Sequence, residues 1–264
     1  MPCYQGTSKI QMTRKDDIKL DRLPAHIAVI MDGNGRWAQK KGNSRIFGHR
    51  NGVTAVRETV EAAAELGIKY LTLYAFSTEN WSRPKREVDA LMSLLLSTLH
   101  EETATLLKNN ISLAVIGDIS RLSGKVADRL KTTIEKTSGN TGLKLILALN
   151  YSGRWEIVDA VNRICVDVAA GKLKNGITYK IFSDYLSTQD IPDPELLIRT
   201  SGEFRVSNFL LWQIAYTELF FTPILWPDFR REDFYRAIVD FQKRERRFGQ
   251  TSEQLSKHEQ TENQ

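Results

Sequence analysis

Cysteine is scarce in this 264-residue chain: Cys3 and Cys165 stand far apart, outside any CxxC or Cys/His spacing. That excludes a disulfide framework and a zinc-finger type of centre. No apolar run approaches the roughly 20 residues of a membrane-spanning helix, and no charged-then-apolar leader pattern opens the sequence. The expectation is a cytoplasmic protein. A Gly-x-x-x-x-Gly-Lys-Ser/Thr loop is absent, which argues against a P-loop nucleotide phosphohydrolase. Internal repeats and linkers are also missing. Residues 23–249 therefore read as one domain, between a mobile polar tail at 1–22 and a disordered tail at 250–264. Asp16 and Asp17 lie in the first tail, beside lysines and with no second acidic pair. They read as solvated charges.

What is present is basic and locally clustered. Lys plus Arg number 37 against 32 Asp plus Glu, giving a net charge of +5. Such a balance favours anionic partners without choosing among them. Arg36, Lys40, Lys41, Arg45 and Arg50 gather just after a glycine turn, opposed by Asp32. A small polyanion suits that cluster better than nucleic acid does, although Lys40 and Lys41 equally fit a solvated face.

The stretch around which the chain is organised is His26–Ala38. Ile27–Met31 is an apolar run suited to a buried strand. It breaks at Asp32-Gly33-Asn34-Gly35-Arg36. The two glycines permit positive φ and close approach of backbone N–H groups to an anion. Arg36 adds a planar donor for phosphate oxygens, and Asp32 stands where a divalent cation could be held. A plain glycine turn with an Asx cap is the other reading.

Strand patterns recur at Tyr70–Phe76, Ile111–Gly117, Leu143–Asn150, Leu196–Thr200 and Glu218–Phe221. Helical patterns alternate with them at Asn51–Leu66, Pro84–Asn109, Ser120–Thr137, Arg154–Ala170, Tyr179–Leu186, near Asn208–Tyr216 and at Arg231–Phe248. This predicts a single-domain α/β fold with a mainly parallel six-stranded sheet flanked by helices. The stretches Asp32–Arg36, Ser77–Arg83, Asn150–Tyr151 and Arg199–Ser207 all follow strands, so they converge on one sheet edge. Along Pro84–Asn109, leucines, Val88 and Met92 cover more than one side. Such a surface implies deep burial, a partner, or the wall of an apolar cavity.

Three stretches, Asp32–Ala38, Phe76–Pro84 and Arg199–Phe209 running on to Glu218, together resemble the cis-prenyltransferase family, most closely its bacterial undecaprenyl diphosphate synthase branch. The resemblance covers Leu23 to Gly249. It implies an apolar tunnel and condensation of farnesyl diphosphate with successive isopentenyl diphosphates in cis geometry, giving a carrier-lipid precursor for cell-wall (peptidoglycan) synthesis. Gly33, Asn34, Gly35, Arg36, Arg45 and His49 would hold the allylic diphosphate, and Arg199, Arg205 and Ser207 the isopentenyl diphosphate. Asp32 would bind Mg²⁺ and assist departure of the leaving group, and Glu218 would help bind metal. Asn80 and Arg83 would assist proton loss, its acceptor being Asn80, Asp32 or a diphosphate oxygen. Ser77, Trp37 and Trp81 join the substrate-binding set, the tryptophans as core or tunnel-rim packing. His26 is left as structural or solvated. Phe204 departs from relatives with a polar or imidazole side chain there, so this position cannot ligate metal. The resemblance also implies a homodimer whose Arg244–Gly249 segment helps complete the neighbouring site, and peripheral membrane contact for product release. Leu143, Leu145, Leu147 and Leu149 share one strand face, with Leu143 and Leu145 at the deep end of the tunnel. A catalytically silent partner subunit is the alternative within the family.

Overall fold

The computed structural model describes residues 15–174, 176–247, 249, 251 and 254. Six strands form one sheet: β1 (His26–Ile30), β2 (Tyr70–Ser77), β3 (Ser112–Ile116), β4 (Lys144–Tyr151), β5 (Leu196–Arg199) and β6 (Glu218–Phe221). Their order is β3-β4-β2-β1-β5-β6, and every pairing is parallel. The helices are α1 (Asn34–Lys40), α2 (Arg45–Leu66), α3 (Lys85–Lys108), α4 (Gly124–Thr137), α5 (Gly153–Ala169), α6 (Tyr179–Ser183) and α7 (Arg231–Gln242).

All five residues of β1 are buried, as a central strand covered on both faces requires. Along β4, Leu145, Leu147 and Leu149 join the larger core cluster, with Leu143 just ahead of the strand. Ile146 and Ala148 join the cluster on the opposite face, following the period-two alternation. The chain leaves β1 for β2 on one side and later places β5 on the other. The loops after β1 and β5 therefore flank a crevice at the topological switch point, where open α/β sheets bind ligands.

Several segments differ from the sequence reading: α2 starts at Arg45, ahead of the expected Asn51, and α4 at Gly124, after the expected Ser120. The Asn34-Gly-Arg-Trp stretch is the first turn of α1, where a turn was expected. No helix forms over 208–216, because Ser207, Asn208 and Leu210 have φ of 46°, 60° and 48°, values a right-handed helix cannot contain. There Phe209 is buried and stacks on Tyr74 with ring centroids 4.2 Å apart, so packing beneath the sheet overrides helical periodicity. The last helix stops at Gln242, where Lys243 and Arg244 tighten onto Asp240 and Phe241 through backbone bonds of 3.2 and 3.0 Å. Phe248 lies outside the described residues.

Finally, 15–22 is packed against the domain. Ile18 is buried, and Gln242 donates to the carbonyls of Lys19 and Arg22 at 2.7 and 3.1 Å. Residues 1–14 lie outside the described residues, as do all of 250–264 except 251 and 254.

His26 sits inside the sheet, its ring nitrogens 2.6 Å from the Pro192 carbonyl and 2.7 Å from Thr72 Oγ1. Burial pushes its pKa down to about 4, so it is a neutral structural tie. Among the described residues, no helix is long and apolar enough to cross a membrane.

Candidate active site

Asp32 is fixed from three directions. Its N–H donates to Thr200 Oγ1 at 2.9 Å. Its carbonyl accepts from Thr200 Oγ1 at 2.6 Å and from the Trp226 N–H at 3.0 Å. The loops after β1 and β5 are thus tied at the switch point. Its carboxylate Oδ2 accepts from Arg36 at 3.1 Å and Arg199 at 2.9 Å. Burial disfavours the charged form, but hydrogen bonds from Arg199 and Ser201 and the Arg36 and Arg199 charges hold the carboxyl below its ordinary range. Asp32 is an anion at neutral pH.

Arg36 also donates to Ser201 Oγ at 2.6 Å and to Glu203 at 2.9 Å. Arg199, with a side chain only 4% exposed, donates to Ser207 Oγ at 2.7 Å and to the Arg205 carbonyl. Arg205 pairs with Glu203 and is otherwise turned to solvent. The glycines are required sterically. Gly33 has φ of +109°, and a Cβ there would stand 2.9 Å from Leu225 Cδ2. A Cβ on Gly48 would meet the Asn34 carbonyl oxygen at 1.9 Å, so α2 crosses directly over the start of α1.

A second cluster stands across the crevice, centred on Glu87 in the first turn of α3. Its carboxylate is 3.1 Å from Arg83, 3.5 Å from Arg45 and 3.9 Å from His49 Nε2. Burial lowers the His49 pKa to about 4, helped by the Arg83 and Arg45 charges and opposed by Glu87. The imidazole is neutral at physiological pH and offers hydrogen bonds, not charge. Asn80 closes a capping box with Ser77, fixing the 77–83 loop. Glu79 accepts from Asn208 at 2.7 Å, joining that loop to the one after β5.

Between the two clusters opens a cavity of about 670 Å³. Its rim carries Asp32, Asn34, His49, Ser77, Asn80, Arg83, Arg199 and Ser207. Below them the wall is apolar, from Val53, Val56 and Val60 of α2, Leu91, Met92, Leu95 and Leu99 of α3, and Leu145, Leu147 and Leu149 of β4. The wide apolar surface of α3 is therefore largely cavity wall. Asn34 Oδ1, His49 Nε2 and Arg199 Nε, all on rim residues, are buried without a hydrogen-bond partner. Unpaired buried polar atoms are costly; an anionic ligand head could accept from Arg199 Nε and from the Nε2–H tautomer of His49, whereas Asn34 Oδ1 is itself an acceptor and faces Gly52 of α2. The arrangement can take an anionic head among cations and an apolar tail beneath.

Not every expected site residue converges. Gly35 packs against the Arg45 guanidinium. Trp37 points away from the crevice, its indole donating to Asp228 at 2.7 Å. Trp81 donates to Asn150 Oδ1 at 2.7 Å and packs edge-on to Phe76, as rim support. Glu218 starts β6 level with Leu196, whereas Arg199 ends β5 level with Phe221. Three strand steps, roughly 10 Å, separate it from the edge that carries Asp32, and its carboxylate pairs with Arg244 at 2.9 Å. Within one chain Asp32 and Glu218 do not share a site. Among the described residues, no group of three or more His, Cys, Asp or Glu side chains is placed to hold a metal. Glu87 is the residue the sequence reading missed. Its signal was the Arg83–Glu87 spacing at the start of the long helix, an i,i+4 pair.

Residues 30–249 match the sequence model of the family described as "Putative undecaprenyl diphosphate synthase". The isoprenyl transferase of Chlorobaculum tepidum is 53% identical, over 96% of this chain and 94% of its own. The ditrans,polycis-undecaprenyl-diphosphate synthase ((2E,6E)-farnesyl-diphosphate specific) of Haemophilus influenzae is 52% identical, over 89% and 99%. Among solved structures, lavandulyl diphosphate synthase from Lavandula x intermedia, in complex with dimethylallyl diphosphate, superposes with a TM-score of 0.85 at 38% identity, covering 87% of this chain and all of that one. A probable undecaprenyl diphosphate synthase from Campylobacter jejuni gives 0.72 at 36% identity, covering 86% and 99%. With its parallel sheet, its rim of arginines around Asp32 and these relatives, the chain belongs to the undecaprenyl diphosphate synthase family of cis-prenyltransferases.

Proposed function

We propose that the chain condenses farnesyl diphosphate with successive isopentenyl diphosphates in cis geometry, making a long polyprenyl diphosphate of the carrier-lipid type. The observation that carries this reading is the join of two unlike surfaces: a cationic rim with an anionic Asp32, directly above an apolar cavity. A substrate with a diphosphate head and a hydrocarbon tail fits both. The relatives named for undecaprenyl diphosphate synthesis, one of them farnesyl-diphosphate specific, support the same choice.

In this reading Asn34, Arg36, Arg45 and His49 receive the allylic diphosphate, and Arg199, Arg205 and Ser207 receive the isopentenyl diphosphate. Pre-placed guanidinium groups stabilise the negative charge that grows on the departing diphosphate. The apolar wall keeps water from the allylic cation. Glu87 holds Arg45 and Arg83 in place, and Asn80 fixes the loop that faces the attacking unit. Asp32 is the carboxylate suited to Mg²⁺, which takes one or two protein carboxylates and completes its shell with phosphate oxygens and water. When bound, Mg²⁺ supplies Lewis-acid neutralisation of the leaving group.

A silent partner subunit is disfavoured, since Asp32, Arg36, Asn80, Arg199, Arg205 and Ser207 are all present. Diphosphate release by the pure chain, dependent on both substrates, tests the point. Release absent under all conditions would favour the silent-subunit reading.

We also read the protein as a homodimer. Phe204 and Tyr216, 80% and 66% exposed, flank the edge strand β6, and a second copy would cover them. Sedimentation should give twice the chain mass, and a monomer active at all concentrations would contradict this.

Product length should be set by the cavity floor. Leu145 lines the cavity at the start of β4, whereas Leu143, expected at the deep end, is buried just ahead of the strand and does not line it. Leu145→Ala leaves an apolar void that accepts hydrocarbon, at a stability cost of about 2–5 kcal/mol. Products are expected to lengthen under excess isopentenyl diphosphate, and an unchanged size distribution from folded variant would place the floor elsewhere.

A further inference from the structure

Asn208 meets three demands at one position. Its backbone is left-handed, with φ of 60°, a conformation that asparagine tolerates better than most residues do. Its carbonyl accepts from the Gly153 N–H at 2.7 Å and its Oδ1 from the Arg154 N–H at 2.9 Å. Two open donors in the first turn of α5 are thereby satisfied. Its Nδ2 donates to Glu79 Oε1 at 2.7 Å, so the one amide accepts from a helix while donating to a loop. Burial disfavours the charge on Glu79, but hydrogen bonds from Asn208, its own backbone, Ser77 and Thr78 hold the carboxyl below its ordinary range. Both residues line the cavity. Beside Asn208, Ser207 accepts from Arg199 at 2.7 Å. Beside Glu79, Asn80 accepts from the Ser77 N–H at 3.2 Å.

We propose that Glu79 and Asn208 are positioning residues for the isopentenyl diphosphate subsite, their bond clasping the 77–83 loop to the turn after β5. The loop has other ties: the Asn80–Ser77 box, Trp81 to Asn150 of β4, and Arg83 to Glu87 of α3. Those hold it to its own side of the crevice. The Glu79–Asn208 bond crosses to the β5 side, where Arg199 and Ser207 lie, and α5 anchors Asn208 there. Without it each half of the subsite keeps its own supports but loses its spacing from the other. Affinity for the isopentenyl unit then falls, while the allylic side, built on α1 and α2, is spared. This assignment of the subsite rests on the proposed function.

Condensation kinetics are measured with each substrate varied in turn, in Glu79→Ala, Asn208→Ala, Asn208→Asp and the double variant Glu79→Gln/Asn208→Asp. Glu79→Ala leaves the cap of α5 intact, so it isolates the clasp even where Asn208→Ala fails to fold. It should raise KM for isopentenyl diphosphate roughly tenfold, the loss of one charge-assisted bond, and leave KM for farnesyl diphosphate within about threefold. Asn208→Asp sets two carboxylates against each other and should do worse. The double variant exchanges donor and acceptor between the loops, remakes the bond and should return KM to within about threefold of the parent. Amide exchange across 78–82 in the ligand-free chain should quicken in the single variants and recover in the double. If the parent makes no product, the functional reading falls, and the clasp is judged by this exchange and by calorimetric binding of isopentenyl diphosphate alone. A double variant as impaired as Asn208→Asp, equal losses for both substrates in Glu79→Ala, or unchanged exchange in Glu79→Ala would overturn the proposal.

Discussion

Replacing Asp32 with Ala is expected to lower kcat by about two to four orders of magnitude, while farnesyl diphosphate affinity changes little. Asp32 accepts from both Arg36 and Arg199, so its removal frees two guanidinium groups that still attract a diphosphate. Ground-state binding therefore survives, and what is lost is the carboxylate needed as the leaving group departs. Asp32→Asn preserves the shape and should fail equally.

The sign of the pH effect follows from the lowered carboxyl pKa. A carboxyl depressed in the folded state adds stability above its unfolded pKa and loses it as pH falls through the folded value. The melting temperature of Asp32→Asn should therefore lie below that of the parent near neutrality and converge on it in acid. Near-parental turnover in either variant would remove Asp32 from the chemistry.

Arg199→Ala is expected to be nearly as damaging, with a different signature. The side chain is almost fully enclosed and ties Asp32, Ser207 and the Arg205 carbonyl together. Losing a charge-assisted contact is worth roughly 1.5–3 kcal/mol, about one to two decades in affinity. That loss should fall on KM for isopentenyl diphosphate more than on farnesyl diphosphate. A further fall in kcat follows because Asp32 loses its better-placed partner. Arg199→Lys should not rescue, since one ammonium cannot span three acceptors in a plane. Arg205→Ala, removing a mostly exposed group, should shift the same KM by less. Equal losses for both substrates would mean that the two diphosphate subsites are assigned wrongly.

The sheet was legible because each strand is a short apolar run ending in a loop with chemical character, and β1 shows both features within a dozen residues. The wide apolar surface of α3 signalled an unusual environment but not which one. Only the approach of α2 and β4 shows that leucines such as Leu91 and Leu95 face a cavity. Segment 208–216 was misread because its apolar spacing mimics a helix, whereas positive φ at Ser207, Asn208 and Leu210 depends on how Phe209 packs on Tyr74 and Tyr151. Glu87 went unassigned because two of its three partners, Arg45 and His49, both lie on α2, and only the fold brings that helix to it. Glu218 shows the converse. It stood in the right motif, yet the register of β6 places it at the other end of the sheet from Asp32.

The most direct test is the product itself. Purified chain is incubated with farnesyl diphosphate, excess isopentenyl diphosphate and Mg²⁺, and the lipid is sized by mass spectrometry and its new double bonds assigned by NMR. The account predicts a ladder of five-carbon additions ending in one narrow long-chain cluster, with every added bond cis. Product no longer than the farnesyl primer, or a single short coupling with no ladder, would contradict it.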